Sequence, residues 1–131
     1  MSITQDGIDG EKLARKILQK IFGIYDIQQA DWLFQKDNQW YAVEVKHKEM
    51  FTPPPFKGQG LNIAQVERRI RLYRDTGIRC LLLVIDKTTG EIFWQWLDQL
   101  ENSKYFDTKN KVRIYDICSY HKITANAQNI I

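Results

Sequence analysis

The sequence predicts an α/β fold, a mixed central β-sheet flanked by helices. Two stretches with helical apolar spacing, 9–22 and 62–75, interleave with five short runs rich in aromatic or β-branched residues. Clusters of Pro, Gly, Asp and Asn punctuate these runs, giving the order α-β-β-(β)-α-β-β. The chain has 131 residues, 44% of them hydrophobic, which suits one modest core and a single domain over 1–131.

In the first helical stretch Leu13, Ala14, Ile17, Leu18 and Ile21 form one stripe. Asp9 reads as its N-cap, Glu11 falls in its first turn, and Gly23 stops it. Two strands follow, Asp31 to Lys36 and Gln39 to Lys46, joined by Asp37-Asn38, residues that tolerate the positive φ of a tight hairpin turn. The segment 47–60 contains Pro53, Pro54, Pro55, Gly58 and Gly60 and reads as a long Pro-rich loop, of the kind that is often functional. Asn62 opens the second helix, with Ile63, Val66, Ile70 and Tyr73 as its buried stripe and Gly77 as its stop. The apolar run Ile78 to Ile85 suits a central strand covered on both faces. Glu91 to Trp96 and Lys111 to Ile117 read as further strands, with a short helix or turn between them at 98–103. The tail, about 120–131, is polar and expected to be loose.

Composition excludes several classes. With 27% charged and 12% aromatic residues and no long uncharged apolar run, the chain is neither disordered nor membrane-spanning. The N-terminus lacks a signal-peptide pattern, so a cytoplasmic location without membrane partners is expected. Cys80 and Cys118 then read as two reduced core thiols, and with His47 and His121 they leave little material for zinc. The net charge of +3 says little by itself, but it is unevenly distributed. From Lys46 to Arg74, seven basic residues (Lys46, Lys48, Lys57, Arg68, Arg69, Arg71, Arg74) face two acidic ones (Glu49, Glu67). That local excess of +5 leaves the remainder at −2 and suggests a polyanion held against one face.

The informative motif is Glu44-Val45-Lys46. Side chains alternate along a strand, so Glu44 and Lys46 share a face. A turn centred on Asp37-Asn38 pairs Lys36 with Gln39, which places Asp31 opposite Glu44, with Cβ atoms about 5 Å apart. Two carboxylates so placed repel, and Lys46 or a hard divalent cation would offset the repulsion. Leu33 and Ala42 share that face, which is therefore not a plain solvent stripe. The competing account is an ordinary exposed Asp–Glu–Lys face whose ion pairs are worth under about 1 kcal/mol.

Glu11 on the first helix, then Asp31, then Glu44-x-Lys46 on a hairpin, then a helix and a buried strand resemble the PD-(D/E)xK nuclease superfamily. Its members have a restriction-endonuclease-like fold and include small archaeal-type Holliday junction resolvases. The resemblance runs from about Glu11 to Ile85, with Ala30-Asp31 in place of the family's Pro-Asp. It implies Mg²⁺, with Mn²⁺ substituting, held by Asp31 and Glu44, with the backbone carbonyl of Val45 as a third oxygen and Glu11 direct or through water. Lys46 would position or activate the attacking water. Gln65 has two readings, a site residue as in many relatives or a capping box with Asn62.

Lys48, Lys57, Arg68, Arg71 and Arg74 are the candidate DNA contacts. Phe51 and Phe56 fit a loop closing over nucleic acid or one packed on the domain, and Trp94 and Trp96 fit core or dimer contacts. The leading expectation is a Mg²⁺-dependent DNA endonuclease, structure-specific in the manner of a Holliday junction resolvase, acting as a homodimer or higher homo-oligomer. A homing or restriction-type endonuclease is the alternative. A non-catalytic nucleic-acid-binding module that keeps the fold, and a structural α/β domain with an incidental acidic patch, are readings of other classes.

Overall fold

The computed structural model describes residues 3–25, 27 and 30–124, with the backbone alone for 3–9 and 11. In chain order the elements are α1 (Ile3–Lys20), β1 (Trp32–Lys36), β2 (Gln39–Lys48), β3 (Gly58–Asn62), α2 (Ile63–Thr76), β4 (Arg79–Asp86), β5 (Ile92–Trp96), α3 (Leu97–Glu101), β6 (Tyr105–Asp107), β7 (Val112–Asp116) and β8 (His121–Ile123). Five strands make a mixed sheet in the order β1-β2-β4-β5-β8, with β2 and β4 parallel and the other neighbours antiparallel. A second, antiparallel sheet has the order β3-β7-β6. The expected α/β architecture, a mixed sheet flanked by helices, is the one observed.

The β1–β2 hairpin turns on Asp37 and Asn38, whose φ values of 53° and 63° fit the tight turn that matches strand twist. Its register pairs Trp32 with Val43, Leu33 with Ala42 and Lys36 with Gln39, and the ladder ends one residue short of Asp31. The helix α2 starts where the Asn62 side chain accepts the Ala64 N–H at 2.9 Å. It stops at Gly77, whose φ of 78° lets its N–H reach the Tyr73 carbonyl at 2.8 Å.

The core lies between one face of the five-stranded sheet and a layer made of α2, α3 and the second sheet. Ala42, Cys80, Leu82, Val84 and Phe93 come from the first sheet, Leu61 and Tyr115 from the second, and Val66, Leu97 and Leu100 from the helices. Burying such residues stabilises by roughly 1.5–3 kcal/mol per large side chain, upper values before chain entropy is counted.

Several expectations are corrected. Asp9 is not an N-cap and Glu11 is not in a first turn, because α1 already starts at Ile3; the side chain of Glu11 lies outside the described residues. Gly23 does end the helix region, at a φ of 66°, with the Ile24 N–H on the Leu18 carbonyl at 2.9 Å. The expected loop 47–60 narrows to 49–57, since Lys48 extends β2 and Gly58 opens β3. Gly58 and Gly60 are strand residues: a Cβ would collide with the Tyr115 carbonyl oxygen at the first and the Arg113 carbonyl oxygen at the second.

Along β4, Cys80, Leu82, Val84 and Asp86 are buried while the alternate residues are only half-buried, so this strand is fully covered on one face rather than both. Tyr73, expected in the stripe of α2, is exposed, and Arg69 is buried instead. Only Cys80 is a core thiol; Cys118 is exposed, and both are free. Within the tail, 121–123 pair with β5 as β8, and 125–131 lie outside the described residues. No helix among the described residues is long and apolar enough to cross a membrane.

Candidate active site

Glu44 sits in β2 between the edge strand β1 and the central strand β4, opposite Leu82, and is 3% exposed. A carboxylate reaches this depth because β2 is flanked on both sides and its inner face meets α2. Asp31 stands just before β1, where the backbone ladder with β2 ends. Its Oδ2 accepts the Val45 N–H at 2.8 Å, which fixes the Asp31 carboxylate beside Glu44. That bond also satisfies a strand amide no longer paired with β1 backbone.

From the other side α2 brings Arg69, 2% exposed, with Nε 3.0 Å from Glu44 Oε1. Burial pushes the Glu44 carboxyl up from its ordinary value, the Asp31 charge pushes it further, and the Arg69 guanidinium pulls it back only in part. At Glu44, burial and the neighbouring carboxylate together thus outweigh the buried guanidinium.

A cleft of about 540 Å³ opens onto this group and is lined by Arg15, Ile27, Ala30, Asp31, Glu44, Gln65 and Arg68. It has room for a hydrated ion and a phosphate group. Among the described residues no three His, Cys, Asp or Glu side chains come together. Two carboxylates are nevertheless a sufficient protein donor set for Mg²⁺, which keeps several waters and takes its remaining oxygens from substrate. The oxygen-only donors, and a carboxylate pair that repels itself, fit a hard divalent cation.

The structure brings Asp31, Glu44, Gln65 and Arg68 to one cleft. The capping-box bond from Gln65 back to Asn62 is absent; Asn62 alone caps α2. Lys46 lies two residues beyond Glu44 on the same inward face, opposite Val84, and is half-buried, but it does not line the cleft. Arg68, Arg71 and Arg74 border a second groove on α2 together with Ala64, Glu67, Ile70 and Glu101. Arg74 lies 3.0 Å from Asp75, and Lys48 and Lys57 are exposed at the two ends of the Pro-rich segment. That segment packs on the molecule: Phe51 and Phe56 meet the Phe106 ring edge-on at 5.9 and 5.2 Å, and Lys104 covers Phe56 at 5.2 Å. Trp94 and Trp96 point to the face of the sheet opposite Phe93, where they line a cleft with Phe34, Tyr41, Leu81 and Leu83.

Two residues of the site escaped the sequence reading. Arg69 could have been found, because it falls between Val66 and Ile70 in the buried stripe of α2, where a charge demands a counter-charge. Arg15 reaches the cleft from α1, a packing of distant segments for which no local pattern speaks.

No protein-family model matches the sequence, and no curated protein matches it. Among solved structures, the chain is similar to Hjc, a Holliday junction resolvase from the archaeal hyperthermophile Archaeoglobus fulgidus, with a TM-score of 0.51 at 13% identity. The match covers 88% of this chain and 92% of that one. At that identity the likeness is one of fold: the chain has an α/β fold similar to that of Hjc.

Proposed function

We propose that this protein is a Mg²⁺-dependent endodeoxyribonuclease that hydrolyses phosphodiester bonds in DNA, with branched DNA such as a Holliday junction as its first substrate to test. The observation that carries the reading is the pairing of Asp31 with Glu44 at the floor of a cleft edged by Arg15, Gln65 and Arg68. Binding DNA alone gives no reason to set two carboxylates together against a phosphate backbone, whereas holding a cation does. The fold likeness to Hjc supports the same class.

Asp31 and Glu44, with the Val45 carbonyl oxygen and Glu11, would hold Mg²⁺, and Mn²⁺ would substitute. The bound cation would supply a lowered water pKa and charge stabilisation at phosphorus. Lys46 orients the attacking water and offsets charge as it builds on the phosphate. Gln65 and Arg68 position the scissile phosphate in the cleft. Lys48, Lys57, Arg71 and Arg74 contact neighbouring phosphates and set register without reading bases. One chain offers one such site, so cutting both strands of a duplex or junction calls for a homodimer or higher homo-oligomer. The protein works in the cytoplasm as a single domain. A homing or restriction-type specificity is the alternative within this class.

A second reading has its own support. Lys46 does not line the cleft, as a module that binds DNA without cutting it would allow. Incubation with supercoiled plasmid, linear duplex and a four-way junction, in Mg²⁺ and in EDTA, separates the two. The nuclease reading expects cleavage that needs Mg²⁺ and vanishes in folded Glu44→Ala and Lys46→Ala. Binding without cleavage on all substrates, in Mg²⁺ as in EDTA, would replace it by the non-catalytic module.

A further inference from the structure

We propose that Arg69 is a positioning residue for the carboxylate pair, an inference that rests on the nuclease reading. Arg69 and Glu44 form an ion pair at 3.0 Å with side-chain exposures of 2% and 4%. Among the described residues, the pairs Arg79–Asp98, Arg113–Glu101, Arg113–Asp107 and Arg74–Asp75 are more exposed. Desolvating a guanidinium and a carboxylate costs enough that well-packed apolar residues of similar volume usually serve a core as well or better. Packing therefore gives no reason for this pair, and a task at the site does.

The geometry says what that task is. Glu44 lies between Asp31, which repels it, and Arg69, which attracts it. The Arg69 Nε stands 3.0 Å from Oε1 and attracts that oxygen from the α2 side, away from Asp31. Arg69 sits one helical turn beyond Gln65, which lines the cleft, so α2 carries both the support of the carboxylate and part of the wall around the substrate. An arginine stays charged at all working pH values, and its planar fork fixes direction as well as charge, which a lysine cannot do.

The test turns on a sign. By charge alone, removing a cation from beside two carboxylates strengthens divalent binding. Loss of orientation weakens it, typically by 10–100-fold for groups that hold metal ligands in place. Mn²⁺ binding is measured without DNA, by calorimetry and by the loss of the free-ion electron paramagnetic resonance signal, on wild type, Arg69→Met and Arg69→Lys, each checked for folding by circular dichroism. The inference expects Arg69→Met to bind at least about tenfold more weakly and Arg69→Lys to fall short of wild type by several-fold. Arg69→Met that binds as tightly as wild type or more tightly overturns it. If Arg69→Met does not fold, Arg69→Lys decides, and wild-type affinity there overturns the positioning role. Wild-type protein that binds no Mn²⁺, or binds it equally after Asp31→Asn, overturns the nuclease reading and this inference with it.

Discussion

Two clusters of arginine and carboxylate, one around Glu44 and one in the second sheet, are built on opposite principles. In the second sheet Arg113 donates to Asp107 from Nε at 2.8 Å and Nη2 at 3.1 Å, and to Glu101 from Nη1 at 2.8 Å, while its guanidinium lies 4.3 Å from the Tyr105 ring centre. The Tyr115 hydroxyl donates to the second oxygen of Glu101 at 2.8 Å. Each group there has a partner: hydrogen bonding to Arg113 holds the Asp107 carboxyl below its ordinary range, and bonding to Asp107 holds Arg113 above its own. Around Glu44 the direction is reversed. Burial and Asp31 push its carboxyl up, and Arg69 does not make good the difference. A cluster that satisfies itself stabilises the fold, and one whose carboxylates still repel each other can take a cation from outside.

The sharpest way to break this contrast is Asp31→Asn. The amide oxygen can still accept the Val45 N–H, so the hairpin stays closed, while a negative charge beside Glu44 disappears. Cleavage is expected to fall at least about 100-fold, from loss of a cation ligand. Metal-free stability, by urea denaturation at neutral pH, is expected to rise by about 0.5 kcal/mol, the size of a like-charge cross-strand pair. A variant less stable than wild type without metal would show that the pair is not under repulsion.

The converse substitution is Arg113→Met. It leaves Glu101 and Asp107 without their shared donor and should cost about 1–2 kcal/mol of stability, moderated because both carboxylates reach solvent. DNA cleavage should stay within about threefold of wild type in a plasmid assay. A large loss of cleavage from a folded protein would tie the two clusters together and remove the contrast.

How much of this was legible in the sequence differs between the two ends. The hairpin was, because Asp37-Asn38 can take positive φ at two successive positions, and a two-residue turn determines which residues face each other. The opposition of Asp31 and Glu44 follows from that local register. Of the second sheet only β7 was legible, as the run Lys111 to Ile117. Its strand β3 reads Gly58-Gln59-Gly60, a loop by local propensity, and becomes a strand only by pairing with Ile114, Tyr115 and Asp116, more than fifty residues away. With β3 unrecognised, the burial of Tyr115 and the Tyr120 hydroxyl bond to the Gln59 carbonyl at 2.6 Å had no sequence signal either. Arg69 carries no apolar signal, although it is buried with Val66 on the inner side of α2.

The two clusters should also respond to pH in opposite senses. A carboxyl held below its ordinary value, as in Asp107, adds stability that is present above that value and lost as pH falls through the folded one. A carboxyl held above its ordinary value of 4.5, as in Glu44, adds stability that is full below 4.5 and lost as pH rises through the folded value. Metal-free wild type should therefore lose stability as pH climbs from 4.5 towards neutrality, followed by denaturation at each pH. Saturating Mg²⁺ should remove that decline, because the ionised carboxylate then has a cation. A decline unchanged by Mg²⁺ would mean that the cation does not reach Glu44.

The smallest expected effect probes the packing beneath the site. Cys80 lies on the inner face of β4 beside Ala42, and burial, with the Glu44 charge adding to it, pushes its thiol up to about 12. Almost no thiolate forms there near pH 8, and the thiolate is the reactive species. Cys118 is exposed. A chromogenic disulfide reagent at pH 8 should therefore titrate one thiol per native chain at once, with the second appearing only on denaturation. Cys118→Ser should abolish the fast phase and leave cleavage unchanged. Two fast thiols in the native protein would mean that the inner face of β4 opens readily. Glu44, on the adjacent strand of that face, could not then hold a carboxyl raised by burial, and the contrast between the two clusters would lose its physical basis.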